Sequence, residues 1–426
     1  MAYNNLEYKQ IANGVKYICI DTDKFNTNSL ILDMYLPVDD NLPAYKILAS
    51  LLTRSSSNYP SQKLMDSKLE WLYGANISST TKITGEMFHI AYKVIMVDDK
   101  FAVDNEKISE MTEDFLFDII LNPHFDGDAF DEADTDREKR TITDELNSIK
   151  NDKISYASRR LKEIMCSNQA CGIGLDTMLK GINDTDKNML YNAYFEMLSR
   201  ANIAVTACGR LNADKLEEKI RGFVSNIKAR NPIEERYKYI TETGDVKYVK
   251  ESMDMNQSKL DIGFRTMMKD RKDNYRAYSI MTDIFGGGPY SRLFTNVREK
   301  MSLCYYCSAN FTRDIGVIAL QSGIENENYD KALEEILNQF DIMKKGEFSD
   351  SELEASKKST IDSYKGLDDS PMRICYFYAA QVFDERIRSK DEIIREITFI
   401  GRDQVTEAAS NTSLDTVYFL AGEAEE

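Results

Sequence analysis

Residues 286–305 read GGGPYSRLFTNVREKMSLCY, and the rest of the chain is organised around them. Before this stretch, Ala277, Ile280, Met281, Ile284 and Phe285 recur at helical spacing, and Gly286, Gly287 and Gly288 then supply the permissive dihedrals that end a helix. After Pro289, the residues Leu293, Phe294, Val297 and Met301 mark one face of a second helix. From Leu303 to Phe311 the odd positions Tyr305, Cys307, Ala309 and Phe311 alternate as in a half-buried strand. The pattern predicts helix, glycine turn, helix, strand. Arg298 then falls in the last turn of the second helix and Tyr305 near the mouth of the strand, so a guanidinium and a phenol face one cleft. The glycines do not form a phosphate loop of the Walker type, because no Gly-Lys-Ser/Thr follows them.

The chain has 426 residues, which suggests two domains rather than one core, and its hydrophobic content of 42% is enough to fill both. A net charge of -17 argues against nucleic acid as a partner, since phosphate binding needs a basic surface. An acidic chamber favours cationic or neutral ligands. The first residues, MAYNNLEYKQ, lack a basic start followed by an apolar core, and no apolar run approaches the ~20 residues of a membrane span. The expectation is a cytoplasmic protein with no membrane span. The seven cysteines are odd in number and scattered, which predicts reduced thiols. Cys304 and Cys307 form a lone CxxC, but residues three apart on a regular strand face opposite sides, so core packing is the expectation for both.

An internal repeat organises the chain. Residues 6–20 alternate around Asn13-Gly14, a hairpin signal, and Gly14-Val15-Lys16-Tyr17-Ile18 is echoed by Gly244-Asp245-Val246-Lys247-Tyr248-Val249. Each is followed by an apolar strand, Leu30 to Tyr35 and Leu260 to Phe264. Further on, Lys139-Arg140-Thr141-Ile142 is echoed by Lys358-Ser359-Thr360-Ile361. An offset of this size signals duplicated domains rather than a solenoid. Between them Ile227 to Tyr237 is polar, contains Pro232 and has no apolar period. The predicted division is a first domain over 1–226, a linker over 227–237 and a second domain over 238–426. Each half reads strands, then helices, then a closing strand, such as Ile203 to Cys208 with Gly209 as a turn. The fold class is α+β, two homologous domains each with helices packed on an antiparallel sheet.

The 286–305 stretch closely resembles the second-domain signature of the pitrilysin/insulinase-like zinc peptidases, GG-x-x-SRLF-x-x-VRE-x-x-x-L-x-Y. NGVKY near the start, Pro123-His124-Phe125 with Phe130 and Glu138, and the strand into Cys208-Gly209 follow in the family's order. The resemblance implies a two-domain half of a clamshell peptidase chamber, in which Arg298 and Tyr305 donate hydrogen bonds to the substrate peptide. A catalytic member carries HxxEH on a helix of its first domain, with two histidines on zinc and a Glu as general base. Counting back from Tyr59-Pro60 places Lys46 and Ser50 at the histidine positions and Ala49 at the base position. Lysine is an ammonium at neutral pH, alanine has no donor atom and a serine hydroxyl is a poor zinc ligand. The chain has only two histidines, His89 and His124, and neither sits in such a motif. His89 reads as a strand histidine satisfied by local hydrogen bonds, and His124 as a loop residue.

The family's distal zinc ligand and its supporting glutamate match Glu145 and Glu138, seven apart on one helix face. A buried carboxylate without its metal needs a positive partner, and Lys46 is the candidate for Glu145. The resemblance therefore implies no catalytic residues and no metal on this chain. It implies instead a non-catalytic subunit, as in mitochondrial processing peptidase and in small bacterial pairs, whose partner is a homologous chain carrying HxxEH and zinc and whose ligand is a peptide or protein substrate. The alternative is a peptide-binding scaffold, a homodimer that encloses peptides without cutting them.

Overall fold

The computed structural model describes residues 5–272 and 274–422. Two compact units emerge, and they are not contiguous in sequence. The first comprises residues up to Glu145, Asp176–Arg236 and Leu367–Ile387, and the second comprises Leu146–Leu175, Tyr237–Gly366 and the chain from Arg388 onward. The boundary near 236 falls in the polar stretch 227–237, but a simple division there misassigns two segments, 146–175 and 367–387. Which sheet a helix covers is decided by distant apolar partners, not by its neighbours in sequence.

The first unit is built on a six-stranded sheet in the order β1-β2-β8-β3-β5-β4. Its strands are β1 (Asn5–Ala12), β2 (Val15–Asp21), β3 (Thr27–Pro37), β4 (Asn76–Thr84), β5 (Met87–Val97) and β8 (Asn202–Gly209). A two-residue hairpin, β6 (Phe125–Asp126) with β7 (Ala129–Phe130), stands apart from it. The turn between β1 and β2 is Asn13-Gly14, where Gly14 has φ +63 and a Cβ would come within 2.5 Å of Pro232. Only glycine satisfies both demands. β3 lies in mid-sheet and is buried at nine of its eleven positions, whereas β4, at the edge, alternates exposed and half-buried residues.

The second unit has a five-stranded sheet in the order β11-β12-β10-β13-β9. Its strands are β9 (Lys247–Met253), β10 (Ser258–Thr266), β11 (Cys304–Thr312), β12 (Val317–Ile324) and β13 (Thr412–Gly422). Pairing is antiparallel except for β2 with β8 and β9 with β13, so each sheet is mixed rather than purely antiparallel. In both units the closing strand inserts beside the opening one, in parallel, and the order of the remaining strands corresponds: β2, β8, β3, β5 and β4 match β9, β13, β10, β12 and β11. The repeat read in the sequence is thus a repeat of topology, with β1 added to the first copy.

The exchanged helices complete each core. In the first unit Ile374, Cys375 and Tyr378 of the Pro371–Ala379 helix pack on Ile18, Ile20, Ile31 and Cys208. In the second, Ala157 and Leu161 of the Lys153–Met165 helix pack on Tyr418 and Leu420. The buried Arg265 anchors the latter helix, its guanidinium 2.6 Å from the Met165 carbonyl, 2.9 Å from the Gln169 amide oxygen and 2.8 Å from Asp415. All seven cysteines are free thiols. Among the described residues no helix is long and apolar enough to cross a membrane.

Candidate functional site

The residues that the family resemblance matches to a metal site lie in the first unit. The Leu42–Leu51 helix starts with Pro43 in its first turn, where a missing N–H costs nothing, and buries Leu42, Ala44, Tyr45, Ile47, Leu48, Ala49 and Leu51. Lys46 and Ser50, four residues apart, therefore lie on one side. Across from them, the Glu132–Asn151 helix brings up Glu138 and Glu145, and edge strand β4 brings up Ser79, Thr80 and Thr81. All these residues, with Ala49, line one cavity of about 270 Å³. The structure thus gathers the five positions singled out from sequence.

Their chemistry is that of neutralised carboxylates. Lys46 Nζ lies 3.8 Å from a Glu145 carboxylate oxygen. Glu138 is only 3% exposed and is ion-paired with Arg54, just past the end of the helix that carries Lys46. Ser50 donates its hydroxyl to the Ile47 carbonyl at 3.2 Å. Arg54 was not anticipated from the sequence. It lies in the turn that follows the helix, and no motif marks it in the sequence.

This donor set does not fit zinc. A structural or catalytic zinc needs at least three N, O or S ligands, and here two carboxylates already carry cationic partners while the third and fourth positions hold an ammonium and a locally bonded hydroxyl. Among the described residues, no group of three or more His, Cys, Asp or Glu side chains is arranged to hold a metal. His89 is committed elsewhere, its Nε2 2.6 Å from Asp33 and its ring stacked on Tyr35 at 4.4 Å. Purified protein washed with a mild chelator is expected to contain far less than one zinc per chain by elemental analysis. One tightly held equivalent would contradict the assignment of this corner. Lys46→Ala is expected to change stability by no more than about 0.5 kcal/mol, because Glu145 is 66% exposed and the pair is a surface one. A urea titration measures this.

The second set of residues lies in the second unit. The Tyr275–Gly286 helix ends at the glycines as expected, but Leu293–Lys300 is a π-helix rather than an α-helix. Its wide turns are visible in Met301 N–H bonding to the Asn296 carbonyl, five residues back. Arg292 fastens it, reaching Gln339 at 2.9 Å and Glu352 at 3.0 Å. π-turns recur at functional positions, and this one carries Arg298. The Arg298 guanidinium lies 4.7 Å from the Phe294 ring centroid and 3.6 Å from Glu299, with 41% of its side chain exposed.

Tyr305 departs from the simple alternation. Cys304 pairs with Ile324 and Tyr306 with Gly323, so Tyr305 is the extra residue of a β-bulge and turns outward, 57% exposed. Its hydroxyl donates to Glu325, which pushes its pKa up. The bulge also corrects the reading of the CxxC. With one residue bulged out, Cys304 and Cys307 share a face instead of opposing each other, and both are buried. Their thiols are hydrogen-bonded, which pushes Cys307 well up and Cys304 down.

Comparison with known proteins follows this geometry. Residues 184–360 match the family model described as Peptidase M16 inactive domain. The chain is 28% identical to the probable inactive metalloprotease YmfF of Bacillus subtilis (strain 168), over 99% of both chains. It is 19% identical to the uncharacterized zinc protease YmxG of the same organism, over 70% of this chain and 72% of that one. Among solved structures it overlays on a conserved protein from Enterococcus faecalis with a TM-score of 0.89 and 24% identity, covering 99% and 100% of the two chains. It overlays on a peptidase M16 inactive domain from Pseudomonas fluorescens with a TM-score of 0.82 and 17% identity, covering 99% and 100%. The similarity that rests on residues 286–305 thus extends over 99% of the chain as likeness to a probable inactive metalloprotease, and over 70% of it to an uncharacterized zinc protease.

Proposed function

We propose that this chain, a catalytically inactive homologue of the M16 metallopeptidases, is the non-catalytic subunit of a two-chain zinc peptidase and forms a substrate chamber with a homologous HxxEH subunit. The observation that carries the reading is a contrast between the two units. In the first, the positions that would hold and activate zinc are occupied by ion pairs, Lys46 with Glu145 and Arg54 with Glu138. In the second, Arg298 and Tyr305 remain exposed on the surface, Arg298 beside Glu299 and Tyr305 hydrogen-bonded to Glu325. A chain that had lost all dealings with peptides would have no use for an exposed guanidinium on a π-helix and an exposed phenol on the neighbouring edge strand. Zinc, the activated water and the general base belong to the partner in this reading, and Arg298 and Tyr305 hold the substrate carbonyls. Seven free thiols agree with a reducing, cytoplasmic setting.

Co-expression with HxxEH homologues from the source genome, followed by size-exclusion chromatography and a peptide-library digest, tests this. The expected result is no hydrolysis by this chain alone and cleavage by a stable heteromer. A homodimer that retains peptides, captures no homologue and never cleaves would instead establish the scaffold alternative.

A further inference from the structure

A further cavity of the second unit is lined by neither Arg298 nor Tyr305, although Glu325, the hydrogen-bond partner of Tyr305, forms part of its wall. It has a volume of about 780 Å³, within the range of small-ligand sites, and opens beside edge strand β9 and the start of the Tyr329–Lys344 helix. Two kinds of surface line it. One is aromatic: Tyr248 of β9, which is 60% exposed, and Tyr329 and Phe419, whose ring centroids are 4.5 Å apart at 41°. The other is anionic: Glu325, Glu327 and Asp330, against one lysine, Lys250.

We propose that this cavity is a subsite for a cationic side chain of the peptide substrate, an arginine or a lysine. An aromatic face attracts a cation through its quadrupole, and adjacent carboxylates add direct Coulomb attraction. Phe419 already shows the first effect, because Lys250 Nζ sits 5.9 Å from its ring centroid. Three carboxylates against one ammonium leave the cavity net negative, which disfavours acidic side chains. An arginine suits both walls, since its guanidinium stacks on rings and pairs with carboxylates. The link to peptide binding is Glu325, which lines this cavity and also accepts the hydrogen bond of the Tyr305 hydroxyl. A cation entering the cavity competes for the same carboxylate that tethers Tyr305, and so frees the phenol for the substrate backbone. This inference rests on the peptide-binding reading of Tyr305.

The test uses the full chain and a blocked pentapeptide, acetyl-Ala-Ala-Arg-Ala-Ala-amide, beside the same peptide with citrulline, a neutral isostere, at the centre. Isothermal titration is expected to show the arginine peptide binding ~10-fold tighter, with the preference falling as salt rises. Glu327→Gln combined with Asp330→Asn should abolish the preference, and Tyr248→Ala should reduce it several-fold. All three side chains are exposed, so an unchanged melting temperature verifies folding. Equal affinity for the two peptides, no binding of either, or a preference that survives the substitutions overturns the inference. The assay needs no partner subunit, so the two readings can fail separately. Arginine preference in a chain that never forms a cleaving pair refutes the proposed function and leaves the subsite. A cleaving pair with equal kcat/KM for both peptides, and no preference in the isolated chain, does the reverse.

Discussion

Arg298→Ala and Tyr305→Phe, each introduced into this chain and assayed in the assembled pair, are expected to lower the rate of peptide cleavage by ~100-fold or more, while assembly and melting temperature stay nearly unchanged. The size follows from what such donors do. A hydrogen-bond donor aimed at charge developing on a carbonyl oxygen stabilises the transition state more than the bound substrate, so its loss is felt in kcat as well as kcat/KM. The selectivity for rate over stability follows from exposure. Arg298 has 41% of its side chain in solvent and Tyr305 is 57% exposed. Tyr305→Phe removes only an oxygen whose partner, Glu325, can turn to water. The bulge that directs Tyr305 outward is a backbone feature and persists in the phenylalanine variant. Unimpaired cleavage with both substitutions present would refute the role assigned to this edge of the sheet, and a fall in melting temperature equal to the fall in rate would make the role structural.

Arg54→Met should destabilise the first unit by about 3 kcal/mol, read as a shift of its urea midpoint. Glu138 is the most enclosed acid of the metal corner, and Arg54 is ion-paired with it. Removing the arginine leaves a carboxylate in a poorly solvated position with no counter-charge, which costs far more than the pair contributes. The double variant Arg54→Met, Glu138→Met should recover most of the loss, because it takes out the charge together with its partner. Lys46→Ala, at the exposed pair a short distance away, is the control with little effect. Equal effects from Arg54→Met and Lys46→Ala would show that burial of Glu138 does not govern the corner. The two carboxylates are thus neutralised differently: Glu138 is buried against Arg54, whereas Glu145 shares Lys46 with solvent.

What the sequence made legible was whatever repeats locally. Gly14-Val15-Lys16-Tyr17 and its echo near residue 244 disclosed a duplicated topology, and β3 and β10 stand at corresponding places in the two sheets. The helix carrying Lys46, Ala49 and Ser50 is placed by counting from Tyr59-Pro60, and these residues line one cavity with Glu138 and Glu145. The features that escaped depend on partners far along the chain. Tyr305 cannot be seen to bulge until Gly323 and Ile324 are set opposite it, and the side-by-side thiols of Cys304 and Cys307 follow from the same slip. The wide turns of Leu293–Lys300 keep apolar residues at helix-like intervals, so periodicity alone does not separate them from an α-helix. Arg54 belongs to no motif, and only the approach of Glu138 gives it a purpose.

The interleaving of the two units bears on how the molecule is made. During synthesis the strands that form the first sheet are all out by residue 209, yet the helix that seals Ile18, Ile20 and Ile31 arrives only with Ile374, Cys375 and Tyr378. At roughly 5–20 residues per second, that leaves a bare apolar face for on the order of ten seconds. The first unit therefore cannot close until residue 379 has been made, and the second, whose strand β13 ends at Gly422, is completed only after that. A stop codon or proteolytic nick anywhere between the two halves would not release a smaller working piece. A stop codon there leaves the first unit without the Pro371–Ala379 helix, and a cut that parts the chain also leaves the second without the Lys153–Met165 helix.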